Sequence, residues 1–320
     1  MATETSRLQE RIDSGKSLVI AEVAPPANGD PVGVLDMARR YAGKVHALGI
    51  SDNRDHVCMS ALAAASLAAS QGVEPILHVV TRDRNRIALV SDCLGAMALG
   101  IRNVLCTSGT HQTLGRFTAA KNVFDVDSTQ LLQTYAMLGE DASLVGEEGG
   151  LDVNGSLCLG ATAAPYADPL ELQTMRLAKK VEAGARFLIT QPVFDVERFE
   201  TWWKEVTKRG IHEKAAVVAG IRILGDSQSA VQYAQQRPLP MVPDAVLQRM
   251  AAKSDNSAQR TEGIAIAVET VKRLSSIEGL RGFEICGAGD DSAALEVIGA
   301  ALEVIGAALE VIDQSAPGTD

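Results

Sequence analysis

Three polar side chains lie within or at the end of apolar segments, where they could carry chemistry. Glu22 lies inside SLVIAEVAP (Ser17–Pro25), His78 lies inside EPILHVV, and Gln191 follows RFLIT. Burial disfavours the charged form of a carboxyl group, so we expect a raised pKa for Glu22, as suits a general acid. A paired structural glutamate and a satisfied core imidazole are the alternatives for Glu22 and His78. The Gln191 amide can donate and accept at once, which suits the edge of a heterocyclic ligand.

Three polar segments follow other apolar runs. The arginines of Thr81–Arg86 (TRDRNR) could hold a phosphate or carboxylate, or the segment could be a solvated helix start with an Asp or Asn cap. The small residues of Thr107–Thr110 allow the backbone to approach a ligand closely. Asp52 and Asn53 could contact a ligand, but their spacing favours capping of a helix from Val57. Metal binding by the five scattered histidines is not expected.

The elements that must position these residues alternate between strand and helix. Helical periodicity covers Val57–Gln71, Arg84–Leu99, Ser128–Leu138, Pro169–Ala183, Val196–Arg209 and Glu262–Ser275. This alternation predicts βαβ units and favours a closed (β/α)8 TIM barrel over an open doubly wound sheet. In such a barrel the chemistry lies at the carboxyl ends of the strands. Eight apolar segments predict strands: Ser17–Pro25, His46–Asp52, Glu74–Val80, Asn103–Gly109, Leu157–Ala164, Arg186–Val193, Ala216–Leu224 and Gly282–Gly287.

Composition excludes several classes of protein. The 320 residues are 46% hydrophobic, which is enough for a core, and the net charge of −10 argues against a nucleic-acid binder. No apolar run is long enough for a membrane span, and the first residues, MATETSRLQE, do not resemble a secretory signal. Five cysteines without a C-x-x-C pair fit reduced thiols, so we expect a cytoplasmic protein.

The sequence divides into a barrel over residues 1–290 and a helical tail with heptad repeats over 291–320. The tail contains AALEVIG twice and AALEVI a third time within Ala293–Ile312. Its apolar residues recur at alternating spacings of three and four, which is typical of a heptad seam. Two interpretations stay open: a helix that pairs with a partner or a second copy, and a terminal helix that packs on the barrel.

Several of these segments resemble one known family. AEVAPP (21–26), and KVEAGA (180–185) leading into ITQPVFD (189–195), resemble methylenetetrahydrofolate reductase, and the resemblance runs from about Ser17 to Cys286. RDRNR (82–86) and VFDVD (123–127) look like the branch found in acetogens and other anaerobes with the reductive acetyl-CoA route. The resemblance implies a flavin-dependent barrel enzyme with FAD ahead of FMN, and with NAD(P)H or another reductant as electron donor. It also implies a homo- or hetero-oligomer and a zinc- and iron–sulfur-containing partner subunit.

The resemblance also assigns roles to residues. Glu22 would be the acid that assists opening of the five-membered ring of 5,10-methylenetetrahydrofolate; the resulting iminium would accept hydride from reduced flavin, reversibly, and give 5-methyltetrahydrofolate. Gln191 would bind the pterin, and Arg222 would meet a folate glutamate or a partner. The positions that would line the flavin are Ser51, His78, Thr81, Arg82, Asp83, Arg84, Asn85, Ser108, Gly109, Thr110 and Lys180, although by its pattern alone Lys180 is a surface charge.

Two departures from the family pattern bear on function. The family's usual Gly-Asp after the fourth strand is Gly109-Thr110 here, and loss of that negative charge should ease formation of a reduced, anionic flavin. The seventh strand lacks the usual Pro before Gly220. Two other functions stay open: a barrel subunit of a larger redox or methyl-transfer complex with little activity of its own, and a corrinoid-dependent folate methyltransferase. The segments around Glu22 and Gln191 argue against the methyltransferase.

Overall fold

Eight parallel strands close into a barrel in chain order, β1 to β8. The computed structural model describes residues 5–54, 56–114, 118–153, 155–235 and 242–306. All eight predicted strand segments contain a strand, so the predicted (β/α)8 barrel is confirmed. The strands are β1 (Leu18–Val23), β2 (Ala47–Ile50), β3 (Pro75–Val80), β4 (Asn103–Thr107), β5 (Cys158–Ala163), β6 (Phe187–Pro192), β7 (Ala216–Arg222) and β8 (Gly282–Cys286).

Helices follow every strand and form the outer ring. Helix α3 begins four residues later than predicted, and two short helices, α8 and α9, are added around β7. Among the described residues, no helix is both long and apolar enough to cross a membrane. The helices are α1 (Arg7–Asp13), α2 (Pro31–Tyr41), α3 (Ala61–Ala69), α4 (Arg86–Ala98), α5 (Ser128–Met137), α6 (Leu170–Glu182), α7 (Val196–Lys208), α8 (Ile211–Lys214), α9 (Ser227–Gln235), α10 (Asp244–Ala251), α11 (Asn256–Leu274) and α12 (Asp291–Val304).

The barrel interior changes from apolar to polar along the strands. Leu18 and Ile20 of β1 belong to a buried apolar cluster that includes Phe187 of β6. Leu8 and Ile12 of α1 belong to the same cluster, so α1 closes the amino end of the barrel. Because side chains alternate along a strand, the residue that follows Ile20 on the inner face is Glu22. The same alternation brings polar side chains to the carboxyl end.

A second apolar layer lies between the strands and the helices. It contains the outward-facing residues of the strands together with the buried faces of the helices. Acidic and amide caps hold the amino ends of several barrel helices, which fixes where each helix begins after its loop. The caps whose side chains accept a hydrogen bond from the first turn are Asp30, Asn85, Asp127, Asp195, Asp255 and Asp290.

The described part of the repetitive tail is the eighth helix of the barrel. Helix α12 contacts β1, β8, α2 and α11, and it buries Ala293, Val297, Ile298 and Ala301. Over these residues the structure shows the packed alternative for the heptad repeats. The third copy, from residue 307 onward, lies outside the described residues.

Candidate active site

A cavity of about 810 Å³ opens at the carboxyl end of the barrel. It is lined by residues of β1 and of β3 to β8, of the loop that follows β2, and of α5, α6 and α7. This volume lies in the range of small-molecule and cofactor sites. Of the residues predicted from the sequence, the cavity is lined by Glu22, Ser51, His78, Arg82, Ser108, Thr110, Lys180 and Gln191.

Glu22 forms an ion pair with Arg54 in the mouth of the barrel. Nη1 of Arg54 donates to Oε1 and Oε2 of Glu22 at 2.6 and 2.7 Å. Burial by itself raises the pKa of Glu22, but the Arg54 guanidinium more than offsets this and lowers the pKa to about 2. The predicted raised pKa is therefore wrong for this arrangement, because Arg54 provides a counter-ion that was not predicted. Arg54 follows β2 in a polar loop and was not singled out from the sequence.

His78 reaches across β2 towards β1. A Cβ atom on Gly49 would lie 2.9 Å from Nε2 of His78, so the absence of a side chain at Gly49 leaves room for the ring. Gly49 is the register partner of Glu22. Nε2 of His78 is buried without a hydrogen-bond partner, and burial lowers the pKa of the imidazole to about 4. His78 is therefore a neutral ring on the Glu22 side of the cavity at neutral pH.

Glu284 is a second carboxyl group in the cavity lining, and the sequence analysis missed it. The residue is 6% exposed, and its Oε1 atom has no hydrogen-bond partner among the described residues. Burial raises its pKa well above the ordinary value, and the negative charge of Glu22 adds to this rise. The available signal was the same as for Glu22: one acidic residue inside a short apolar strand, here GFEIC.

The three arginines of Thr81–Arg86 are paired with carboxylates. Arg82 pairs with Asp83, and its guanidinium also donates to the carbonyl oxygens of Asn53 and Thr110. Arg84 pairs with Asp52 and Asp92, and Arg86 pairs with Asp125. Of this segment only Arg82 is part of the cavity lining.

Two capping expectations have different outcomes. Asn85 caps α4 by accepting a hydrogen bond from the Ala88 amide at 3.0 Å, in agreement with the capping alternative for that segment. The cap expected of Asp52 is wrong, because Oδ2 of Asp52 accepts from the Val80 amide and from Arg84. Its buried carboxylate ties the ends of β2 and β3 together.

The segment after β4 forms a tight turn beside the cavity. Gly109 has φ +78°, and a Cβ atom there would lie 2.5 Å from Cγ1 of Val80. The left-handed backbone and the close approach both require glycine. Ser108 and Thr110 on either side line the cavity, and Oγ of Ser108 accepts from the Ser128 amide at the start of α5. Thr81 is fully buried, and its Oγ1 has no partner among the described residues.

A basic face of α6 forms another wall of the cavity. Arg176, Lys179 and Lys180 all line it. Nζ of Lys180 donates to the carbonyl oxygen of Thr162 at 2.8 Å, and burial lowers the pKa of this amine. The surface position that its pattern alone suggested for Lys180 is wrong. Three basic side chains on one wall suit an anionic ligand.

Gln191 and Arg222 lie at the ends of adjacent strands but face different cavities. Gln191 lines the large cavity, whereas Arg222 lines a neighbouring cavity of about 380 Å³. The guanidinium carbon of Arg222 lies 4.4 Å from the centre of the Tyr233 ring, and Nη1 lies 3.5 Å from Sγ of Cys286. Glu22 and Arg54 line both cavities, so their ion pair lies on the boundary between the two.

Comparison with known proteins supports the resemblance seen in the sequence. The family model described as methylenetetrahydrofolate reductase matches residues 7–301. A probable methylenetetrahydrofolate reductase (NADPH) of Caenorhabditis elegans is 25% identical over 280 residues, which are 84% of this chain and 40% of the relative. Methylenetetrahydrofolate reductase 1 of Schizosaccharomyces pombe is 25% identical over 125 residues, 38% of this chain and 20% of the relative. The chain thus spans less than half the length of these curated relatives.

Solved structures share the fold at low sequence identity. An uncharacterized protein from Clostridium thermocellum that binds two copies of 5-methyl-5,6,7,8-tetrahydrofolic acid superposes with a TM-score of 0.62 and 14% identity, covering 94% of this chain and 99% of that protein. An F420-dependent secondary alcohol dehydrogenase follows with a TM-score of 0.53 and 13% identity, covering 91% of this chain and 99% of that protein. At these identities the likeness shows the barrel fold alone.

Proposed function

The chain belongs to the methylenetetrahydrofolate reductase family, and from that premise we propose that it interconverts 5,10-methylenetetrahydrofolate and 5-methyltetrahydrofolate. The observation that carries the proposal is the placement of Glu22 and Gln191 on one cavity. One side chain can move a proton, and the other can recognise a heterocycle. The name of the Clostridium thermocellum protein, which binds methyltetrahydrofolate in the same fold, is consistent with this choice of substrate.

The cavity residues fit a flavin. The Gly109 turn lets the backbone come close to a planar ligand, and the basic face of α6 offers cations to its phosphates. The unpartnered Nε2 atom of His78 offers one further hydrogen bond inside the cavity. A bound, reduced flavin supplies the hydride. We propose FAD ahead of FMN, held by Ser51, His78, Arg82, Ser108, Thr110 and Lys180 of the cavity lining, with NAD(P)H or another reductant as donor. Thr81 and Gly109 are chain neighbours of lining residues, and their contact with the flavin stays a prediction.

Asp83, Arg84 and Asn85 have other partners in the structure. Asp83 is paired with Arg82, Arg84 with Asp52 and Asp92, and Asn85 caps α4. None of the three lines the cavity. Their assigned contact with the flavin stays a prediction that this geometry does not support.

Glu22 is the group that exchanges a proton with the folate. In the reductive direction it donates to N10 as the five-membered ring opens, which requires a neutral carboxyl group. The ion pair with Arg54 holds it as a carboxylate, so Arg54 must leave Glu22 before the proton can be given. In the oxidative direction the paired carboxylate already has the charge needed to accept that proton. Arg54 therefore controls which role Glu22 can take.

Gln191 and Arg222 orient the substrate in this proposal. The Gln191 amide lies at the end of β6, where it can pair with the donor and acceptor edge of the pterin. Arg222 points into the neighbouring cavity and forms no ion pair among the described residues. It can therefore receive a carboxylate of the substrate beyond the ion pair of Glu22 and Arg54.

The proposed setting is the cytoplasm. Among the described residues the cysteines form no disulfide, as expected where thiols are kept reduced. Oligomerisation and a zinc- and iron–sulfur-containing partner subunit stay predictions. Within the described residues, no group of three or more potential ligands could hold a metal ion in this chain.

A visible spectrum of the purified protein tests the proposal directly. We expect flavin bands that bleach on reduction and recover when methylenetetrahydrofolate is added. Glu22→Gln should bind flavin and be reduced normally but lose recovery with folate. Glu74→Gln, which makes the same chemical change in a carboxylate paired with Arg7, should behave as the parent.

Three results would count against the proposal or against one of its parts. A colourless protein that cannot be reconstituted with flavin would exclude the reaction. Full recovery of the bands in Glu22→Gln would remove Glu22 from proton exchange. A protein that binds flavin but never recovers its bands with folate would instead favour a barrel subunit with little activity of its own.

A further inference from the structure

Glu284 and Glu22 are diagonal neighbours on adjacent strands. In the pairing of β1 with β8, Ile20 faces Glu284 and Glu22 faces Cys286. The two glutamates are thus one inner-face position apart, and both line the large cavity. The two side chains are close enough for the charge of Glu22 to act on Glu284.

The two cations that face the two carboxyl groups are unevenly placed, because neither forms an ion pair with Glu284 among the described residues. From the neighbouring elements, Arg54 of the β2–α3 loop, His78 of β3, Arg222 of β7 and Cys286 of β8 face this part of the barrel. Nη1 of Arg54 donates hydrogen bonds to both carboxylate oxygens of Glu22. His78 is neutral, and the Arg222 guanidinium is stacked on a tyrosine ring.

Glu284 itself forms no ion pair among the described residues, and burial outweighs the attraction of Arg54 for its charge. Its Oε1 atom is buried and unpartnered, and no cation pairs with it among the described residues. A buried carboxylate without a cation or donor takes up a proton instead. With Arg54 bound to Glu22 and no ion pair formed by Glu284, the two carboxyl groups carry one negative charge between them.

We propose that Glu22 and Glu284 share one proton, which is stored on Glu284 while Arg54 binds Glu22 and passes to Glu22 when Arg54 withdraws. The inference rests on the proposed function for its role in the reaction. Glu284 acts through Glu22 and need not touch the folate. Glu284 is therefore a positioning residue: it sets the protonation state of Glu22, which exchanges the proton with the folate.

The proposed transfer moves one proton from Glu284 to Glu22. The O–H bond of Glu284 breaks, an O–H bond forms on the carboxylate of Glu22, and the negative charge moves to Glu284. Glu22 then gives this proton to N10 of the folate. When Arg54 binds the Glu22 carboxylate again, Glu284 takes a new proton from the solvent through the open mouth of the cavity.

Infrared spectroscopy of the folate-free protein tests where the proton is stored. At neutral pH exposed carboxyl groups are ionised, so a carboxylic acid band that shifts in deuterium oxide reports a buried protonated group. We expect this band in the parent and its loss in Glu284→Gln. Absence of the band from the parent at neutral pH, or its persistence in Glu284→Gln, overturns the proposal.

The folate half-reaction tests what the stored proton does. With flavin reduced beforehand, Glu284→Gln should lower the maximal rate of reoxidation by methylenetetrahydrofolate about tenfold. The folate concentration that gives half of this rate should not change, and the loss of rate should be largest at high pH. Glu284→Asp, which keeps a carboxyl group, should recover part of the rate. Reoxidation of Glu284→Gln at the parent rate across the pH range overturns the role.

The two experiments separate this inference from the proposed function. If the parent is not reoxidised by methylenetetrahydrofolate at all, the proposed function fails. The infrared band still decides whether Glu284 stores the proton, because that measurement uses neither folate nor turnover. Retained flavin binding and an unchanged circular dichroism spectrum show that Glu284→Gln is folded.

Discussion

Replacement of Arg54 by glutamine should reverse the pKa shift of Glu22. In the parent the guanidinium lowers the pKa of Glu22 from its ordinary value of 4.5 to about 2. In Arg54→Gln burial still raises the pKa, and only the smaller effects of His78 and Arg222 oppose it, so the pKa of Glu22 should rise from about 2. The perturbation removes the cation and keeps a side chain of similar length.

The magnitude follows from linkage. A change from 4.5 to about 2 corresponds to about 3 kcal/mol in favour of the carboxylate in the folded protein. Because 40% of the Arg54 side chain is exposed, solvent screening reduces the expected contribution to about 2 kcal/mol. The folded pKa is the lower one, so this stability is present above pH 4.5 and is lost as the pH falls towards 2.

Urea unfolding at two pH values measures this contribution. At neutral pH we expect Arg54→Gln to be less stable than the parent by about 2 kcal/mol, and near the folded pKa the difference should almost vanish. Arg40→Gln is the matched control, since it breaks the pair with Asp291 in which Arg40 is 57% exposed. That control should change the free energy of unfolding by less than about 1 kcal/mol at either pH.

The same difference between parent and Arg54→Gln at both pH values would refute this reasoning. Arg54 would then contribute packing and hydrogen bonds but not the charge state of Glu22. The second readout is the pH dependence of folate turnover. In Arg54→Gln the part of this pH profile that reports the titration of Glu22 should move to higher pH, because the Glu22 carboxyl group stays neutral up to a higher pH.

Three other substitutions or reactions probe the frame of the site. Gly49→Ala should place its methyl group 2.9 Å from Nε2 of His78 and cost about 1–3 kcal/mol in thermal unfolding; an unchanged melting temperature would show that the ring can move aside. Leu8→Ala should cost about 2–5 kcal/mol in urea, because it opens a cavity in the barrel floor, and a much smaller loss would mean that α1 does not close the barrel. Burial raises the pKa of Cys93 and of Cys158 to about 12, so mass spectrometry should find both thiols unmodified when the folded protein is treated with iodoacetamide. Alkylation of either at the rate of the unfolded chain would contradict their burial.

The barrel could be predicted because its strands are short, apolar and regularly spaced. Ala216–Arg222 and Gly282–Cys286 begin at the residues predicted for them. Helix limits were less accurate where a loop is held by distant contacts: the Met59 amide donates to the carbonyl oxygen of Pro26, and α3 begins only after this contact. That hydrogen bond joins two loops of the closed barrel, so no local sequence pattern reveals it.

The site could be predicted only in part. Glu22, His78 and Gln191 were identified because polar residues at the ends of apolar strands must face the mouth of a barrel. Arg54 was missed because a loop residue becomes the partner of Glu22 only when β1 and β2 are adjacent. Since a pKa depends on such partners, the direction of the Glu22 shift could not be derived from burial alone.

The two described copies of the repeat make the segments of α12 interchangeable. Ala293–Gly299 and Ala300–Gly306 have the same sequence, and seven residues turn an α-helix by almost two full turns. Loss or gain of one copy would therefore change the helix by about 10.5 Å in length while keeping nearly the same face towards β1 and β8. Asp290, which caps α12 and pairs with Arg260, fixes where the helix begins, whatever the number of copies. Helix α12 can thus vary in length while the same part of it covers β1 and β8.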